Sequence, residues 1–292
     1  MKGGIIKNLC DYNTIRELLG RHGFHFSKSM GQNFLIDLEV PYNIAAASQA
    51  DETCGVLEIG PGIGPLTAEL AQRAGKVVSI ELDKSLLPVL AETMAPYPNV
   101  EIVPGDAMKL DLGALAAEKF QGLRPIVCAN LPYNITTPVL TKLIETPCFE
   151  TITVLIQKEV AQRLSAAQGS SDGGSFSLFL QYYMETEYLF DVPREKFLPA
   201  PKVTSAVLRC IRRKKPAVDV DDEEFFFKVV RGAFLLRRKT LPNSLAAALP
   251  PFSKESIIAA MAECGLPETV RGERLTLQDF ANLSKTLKKC KK

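Results

Sequence analysis

The sequence contains no apolar run of the length that a bilayer-spanning helix needs, about 20 residues, so an integral helical membrane protein is not expected. It has no paired cysteine pattern. The seven cysteines, at 10, 54, 128, 148, 210, 264 and 290, are spread singly and form no CxxC. An odd number of unpatterned thiols fits a reduced, cytoplasmic setting and gives a structural zinc site almost no support. Histidine is scarce: only His22 and His25 occur, an isolated pair away from any Cys, Asp or Glu cluster, so no metal centre is expected. The opening MKGGIIKNLCDYNTIRELLG has scattered charges where a secretory signal would have an apolar core and a small-residue cleavage site. A large excess of one charge is missing too, with 35 Lys and Arg against 33 Asp and Glu, a net +2.

What is present is an ordinary globular composition, 46% hydrophobic and 23% charged, over 292 residues. That length can hold one sizeable α/β domain and a smaller second one. The basic residues are unevenly distributed. Arg212, Arg213, Lys214 and Lys215 form one cluster, Arg237, Arg238 and Lys239 a second, and Lys288, Lys289, Lys291 and Lys292 a third. Basic clusters offset from acidic stretches fit a nucleic-acid-facing side.

The chain starts with a helix-like stretch from Tyr12 to Leu19 and a loop, RHGFHFSKSMGQ. From Val56 short apolar runs alternate with helix-sized segments. Strands are expected at 56–59, 77–80, 100–103, 126–129 and 152–156, with helices near 65–73, 86–94 and 138–145. This alternation predicts a parallel sheet with helices on both faces. Two later strand-like stretches, 185–192 and 205–211, suit an antiparallel pair at one edge. GSSDGG at 169–174 reads as a mobile surface loop. Beyond Arg212 the pattern becomes helical, near 222–236, 240–248, 253–264 and 276–287, which places a small helical domain at 212–292 behind an α/β domain at 1–211 that includes an N-terminal arm, 1–35. Phe225–Phe227 fits a helix core better than an RNA-stacking platform.

VLEIGPGIGPLT at 56–67 is a strand, a glycine-rich turn and a helix start. Gly60, Gly62 and Gly64 allow a sharp turn and a close approach to a ligand. The spacing departs from GxGxxG because position 65 is proline. Glu81 ends the second strand, 21 residues after Gly60, where a carboxylate can accept from both ribose hydroxyls. Asp106 follows the third strand and can accept from an adenine amine. Four successive strands thus end in Gly60, Glu81, Asp106 and Asn130, and ligands of open α/β sheets bind outside the carboxyl ends of the strands. NAD is the alternative ligand, but the sequence offers no hydride-transfer constellation.

NLPYN at 130–134 supplies the chemistry. The exocyclic nitrogen of adenine is a poor nucleophile because its lone pair is delocalised into the ring. Acceptors aimed at its two hydrogens favour pyramidalisation and localise that pair. The Asn130 side-chain oxygen is one such acceptor and the Leu131 carbonyl the other. Pro132, with fixed φ and no N–H, helps hold that carbonyl, and Tyr133 can stack on the base. Such preorganised groups, aligned with the methyl sulfonium of S-adenosylmethionine, suit N-methylation of adenine without a strong general base.

With these motifs the sequence resembles the KsgA/RsmA family of rRNA adenine dimethyltransferases over nearly its whole length. GQNFLID (31–37), LEIGPGIGPLT (57–67), ELD (81–83), GDAM (105–108), NLPYNITTP (130–138) and FLPAPKVTSAV (197–207) occur in the family's order and spacing. The resemblance implies dimethylation of two adjacent adenines in a hairpin loop near the 3′ end of small-subunit rRNA. It also implies a Rossmann-like seven-stranded methyltransferase sheet with a smaller all-helical C-terminal domain. By resemblance Asn33, Leu35, Gly60, Gly62, Glu81, Asp106 and Asn130 contact S-adenosylmethionine, Asn130, Leu131 and Tyr133 handle the target base, and Phe197 lies against the base from the other side. The family often has an aromatic residue just before the glycine at 174, where this chain has Gly173. Phosphate contacts are expected from Lys28, Arg212, Arg213, Arg237 and Arg238. The partner is small-subunit rRNA or the small ribosomal particle, with no membrane involvement, and the chain is expected to be a monomer. Rival readings are a large-subunit rRNA methyltransferase of the macrolide-resistance type, a non-catalytic RNA-binding assembly factor, and a methyltransferase of DNA or of a protein amide.

Overall fold

A computed structural model describes residues 8–24 and 32–290. They fall into two compact units. The first comprises the described residues up to Ala161 together with Glu187–Arg212, and the second Gln162–Thr186 together with the described residues from Arg213 onward.

The first unit starts with α1 (Tyr12–Arg21), whose Asp11 side chain caps it by accepting from the Thr14 amide at 2.8 Å. A two-residue strand β1 (Phe34–Leu35) and helix α2 (Glu39–Ala47) follow. The alternating region then runs β2 (Cys54–Ile59), α3 (Pro65–Ala71), β3 (Lys76–Glu81), α4 (Leu87–Thr93), β4 (Val100–Pro104), α5 (Leu112–Lys119), β5 (Arg124–Asn130), α6 (Thr136–Glu145) and β6 (Thr151–Gln157). After α7 (Lys158–Ser165) and α8 (Ser175–Tyr183) come β7 (Met184–Val192), the short β8 (Phe197–Leu198) and β9 (Ser205–Arg212).

Seven of these strands form one sheet in the order β4-β3-β2-β5-β6-β9-β7. The strands from β2 to β6 pair in parallel, with Val56 opposite Val77 and Val127 opposite Ile152. β9 turns antiparallel against β6, Leu155 facing Val207. Every residue of β2 is buried, as a strand covered on both faces requires. The expected strands therefore form where the apolar runs place them. Reversal of strand order on either side of β2 and β5 opens a crevice at their carboxyl ends, the position where sheets of this kind take ligands.

In the second unit α9 (Glu223–Ala233), α10 (Leu241–Ala248), α11 (Lys254–Glu263) and α12 (Leu277–Cys290) match the expected helices closely. Phe226 is fully buried and Phe227 nearly so, and the Tyr182 ring packs on both at centroid distances of 5.4 and 5.1 Å. These contacts make the phenylalanine run a core element, as expected. They also explain why Gln162–Thr186 joins the helical unit: the aromatic side chains of α8 share its core. A division at Arg212 alone leaves this segment on the other side.

The segments on either side of the loop read as mobile, 169–174, are tied down. Gln168 Oε1 accepts from the Leu277 amide at 2.9 Å, and Gln181 Nε2 donates to the carbonyls of Leu164 and Ala166 at 3.0 and 2.9 Å. Gly173, at the position expected to hold an aromatic residue, borders a small hollow of about 10 Å³ with Phe234 and Leu275.

Candidate active site

The crevice at the strand ends is a cleft of about 180 Å³. Gly60, Gly62 and Gly64 all have positive φ, +73°, +63° and +95°, a region that side chains rarely adopt. The Gly60 amide bonds to the Ile80 carbonyl at 3.0 Å, which holds the turn against the end of β3. A methyl group on Gly62 would come within 3.1 Å of the Phe34 ring, so the turn and the arm fit closely.

Beneath the turn lies Glu58, which sequence reasoning did not single out. It is 1% exposed, and its Oε2 accepts from Thr67 Oγ1 at 2.6 Å and Ser79 Oγ at 2.7 Å. One carboxylate thus ties together β2, α3 and β3. Burial pushes its pKa up to about 7, against the pull of those two hydroxyls. Glu81, at the end of β3, is also pushed up to about 7, mainly by burial, against hydrogen bonds from the Asp83 and Gly62 amides. Its Oε1 accepts from Asp83 N at 2.7 Å.

The arm closes one side of the cleft. β1 pairs antiparallel with β8, Phe34 opposite Leu198 and Leu35 opposite Phe197. The Ile36 amide bonds to the Lys196 carbonyl at 2.9 Å, and the Lys196 ammonium pairs with Asp37. Gln32 Nε2 donates to Asp83 Oδ2 at 2.7 Å.

Asn33, Leu35, Gly60, Gly62, Glu81, Asp106 and Asn130, the seven residues expected to contact a cofactor, all line this one cleft. Asp106 Oδ1 accepts from the Met108 amide at 2.9 Å. Leu131, Pro132 and Tyr133 line the cleft too. The Leu131 amide donates to the Leu155 carbonyl at 3.1 Å, which anchors the peptide just before the one that carries the proposed acceptor. Pro132 has φ −57°, and its carbonyl takes bonds from the Ile135 amide and Thr136 Oγ1, both at 3.2 Å. Among the described residues no hydrogen bond engages the Asn130 side chain, which leaves its amide available to a ligand. Tyr133 is half-buried, and its hydroxyl meets Ser205 Oγ at 2.5 Å. Burial raises the Tyr133 pKa, so the phenol stays neutral.

Phe197, expected against the target base, is placed in the core. It is 2% exposed, packs in the core cluster with Leu35, Val192 and Val207, and does not line the cleft. Pairing with Leu35 turns it inward. Arg212 and Arg213, expected on phosphates, are engaged within the protein. The Arg212 guanidinium donates to the carbonyls of Phe149, Leu143, Ile144 and Thr146 at 2.8–3.3 Å, capping the C-terminal end of α6. Arg213 bonds to the Gln181 carbonyl and, at 2.9 Å, to Glu185. A run of basic residues looks the same in sequence whether it faces solvent or carbonyls. Arg237 and Arg238 are exposed. Lys28 lies outside the described residues, as does His25. His22 Nε2 meets Glu92 Oε2 at 2.7 Å. Among the described residues no group of three or more His, Cys, Asp or Glu is placed to hold a metal, and no helix is long and apolar enough to cross a membrane.

The donor and acceptor set fits S-adenosylmethionine. It offers a glycine turn, the buried Glu81 carboxylate at the end of β3, Asp106 after β4, and one buried acceptor, Gln32 Oε1, that has no partner among the described residues. The comparisons agree. A family model described as ribosomal RNA adenine dimethylase matches residues 23–289. The chain is 46% identical over 285 residues to a ribosomal RNA small subunit methyltransferase A from Geobacillus sp. (strain WCH70), covering 96% of this chain and 98% of that protein. Among solved structures it is similar to a dimethyladenosine transferase from Plasmodium falciparum, with TM-score 0.72 and 25% identity over 86% of this chain and 95% of the other. It is similar also to the 23S rRNA methyltransferase ErmE, with TM-score 0.67 and 28% identity over 88% of this chain and 100% of the other.

Proposed function

The chain belongs to the ribosomal RNA adenine dimethylase family, and from that premise we propose that it dimethylates the N6 amines of two adjacent adenines in a hairpin loop near the 3′ end of small-subunit (16S) rRNA, supporting ribosome assembly. The observation that carries the choice of substrate is the near full-length agreement with small-subunit enzymes, at markedly higher identity than with the 23S enzyme.

Asn33, Leu35, Gly60, Gly62, Glu81, Asp106 and Asn130 hold the cofactor. S-adenosylmethionine, when bound, supplies an electrophilic methyl group on a sulfonium. The chain does the rest by position. Asn130 Oδ1 and the Leu131 carbonyl accept from the two hydrogens of the target amine and concentrate its lone pair on nitrogen. Pro132 keeps the second acceptor in place. Tyr133, steadied by Ser205, offers its ring to the base, and base–aromatic stacking of about 1–3 kcal/mol offsets part of the cost of drawing the base out of its stack. The proton leaves after the amine has become cationic, so no strong base is needed. Phe197 supports this arrangement from behind, through Leu35. The second unit serves RNA and ribosome binding, with Arg237 and Arg238 on phosphates. The protein works as a cytoplasmic monomer without a membrane partner.

The test offers the protein small and large ribosomal subunits that lack adenine dimethylation, with labelled S-adenosylmethionine, and maps the product by nuclease digestion and mass spectrometry. Dimethyladenosine at two adjacent loop residues of the small subunit is expected. Transfer only to large-subunit rRNA would move the assignment to the resistance-type enzymes, and RNA binding without transfer would make the protein an assembly factor.

A further inference from the structure

Gly105, Asp106, Ala107 and Met108 form the wall of the cleft that follows β4. The amides of this loop are satisfied close by. Gly105 N donates to the Glu81 carbonyl at 2.9 Å and Met108 N to Asp106 Oδ1 at 2.9 Å, while the amides of Lys109 and Leu110 donate to the Asp106 carbonyl at 2.8 and 3.1 Å. Two carbonyls of the same loop, those of Met108 and Leu110, are both taken by one distant group. Lys142 Nζ donates to them at 2.8 and 2.6 Å. An ammonium has three donors to divide among acceptors, and hydrogen bonds from a charged donor are stronger than neutral ones.

Lys142 stands on α6, the helix that follows the NLPYN motif, and Thr136 Oγ1 ties the start of that helix to the Pro132 carbonyl. In the sheet order β4-β3-β2-β5, the loop after β4 and the helix after β5 lie on opposite sides of the glycine turn that follows β2. Lys142 bridges them. The wall that carries Asp106 is thus braced from the element that continues the target-amine motif. Lys142 itself does not line the cleft. Asp106 Oδ1 is engaged inside the loop, and Oδ2 lies 3.9 Å from the Lys109 ammonium, whose side chain is 84% exposed, which leaves Oδ2 open to a ligand amine. We propose that Lys142 is a positioning residue for the reaction, whose ammonium sets this loop, and through it the Asp106 carboxylate, in the place from which it recognises an adenine amine. This rests on the reading of the cleft as the cofactor site, with Asp106 beside the adenine.

Isothermal titration of the full chain with S-adenosylhomocysteine, and with the analogue carrying hydrogen in place of its 6-amino group, reads this contact without any transfer reaction. Wild type should prefer the parent ligand by about tenfold or more, the worth of one hydrogen bond to a charged group. Lys142→Met keeps the apolar stem and removes the donors, and in it the preference should fall to about threefold or less. Lys142→Arg, still a cationic donor, should keep the preference within about twofold. In an Asp106→Ala background, Lys142→Met should leave the ratio unchanged. Thermal melts of the ligand-free proteins report folding, and Lys142→Gln supplies the same comparison if Lys142→Met melts below the assay temperature. A folded variant that keeps the full preference overturns the proposal. So does an equal weakening of both ligands, which a merely structural role would give. If wild type shows no preference, Asp106 is not on the amine and the proposal falls with that reading, and if wild type binds neither ligand, the reading of the cleft itself fails, results separate from a failure of Lys142 alone.

Discussion

Replacing Glu58 by glutamine should change how stability depends on pH. In the unfolded chain Glu58 titrates near 4.5, while in the fold burial pushes it up to about 7. Between those values the folded protein holds a proton that the unfolded chain has released. Stability from this group is therefore fully present below pH 4.5 and is lost as pH rises through about 7. The side chain is fully buried, so screening by solvent does not reduce the effect. Raising pH from 5 to 8.5 should cost wild type about 2–3 kcal/mol through Glu58. A glutamine in its place cannot ionise, yet its carbonyl oxygen can accept the same hydroxyls of Thr67 and Ser79. Glu81 titrates in both proteins, so the difference between them reports Glu58 together with its weaker charge coupling to Glu81. Urea denaturation followed by far-UV circular dichroism is the suitable assay, as the chain has no tryptophan. Glu58→Gln should lose about 2–3 kcal/mol less than wild type across that range. Parallel pH profiles would refute the reasoning, since Glu58 would then be ionised or solvated in the fold.

Three further outcomes follow from named contacts. Gly64→Ala, at φ +95°, should destabilise by about 1–2 kcal/mol through left-handed backbone strain, read as a lower Tm in calorimetry. Ser205→Ala should slow methyl transfer several-fold by loosening Tyr133, and that effect should vanish in a Tyr133→Phe background, which a double-mutant cycle measures. Arg212→Ala should cost about 2–3 kcal/mol by freeing the carbonyls at the end of α6, whereas charge reversal at Arg237 or Arg238 should leave stability within about 0.5 kcal/mol and lower the slope of log K against log salt for rRNA by about one or more.

Much of the sheet and of the cleft was legible in the sequence. Buried parallel strands are short apolar runs, and the residues that end them, Gly60, Glu81, Asp106 and Asn130, stand at one edge because the strands are parallel. The rest depends on partners distant in the chain. β1 and β8 are two residues each, too short to show a period, and only their mutual pairing defines them. That pairing turns Phe197 into the core. α2 contains Pro41, which reads as a breaker but is tolerated in a first turn. α8 belongs with the C-terminal helices through aromatic contacts to α9 that no local pattern announces. Glu58 looks like part of a glycine motif until Thr67 and Ser79 are seen to converge on it.

The central claim is that Asn130 prepares the target amine. Single-turnover transfer of labelled methyl groups to unmethylated small subunits, wild type against Asn130→Ala, tests it most directly when S-adenosylhomocysteine affinity is measured alongside. Loss of one acceptor should slow transfer by about 10²–10³, by analogy with single oxyanion-hole donors, well beyond any change in ligand affinity. A variant that transfers at the wild-type rate, or whose entire loss is accounted for by weaker cofactor binding, would contradict the account.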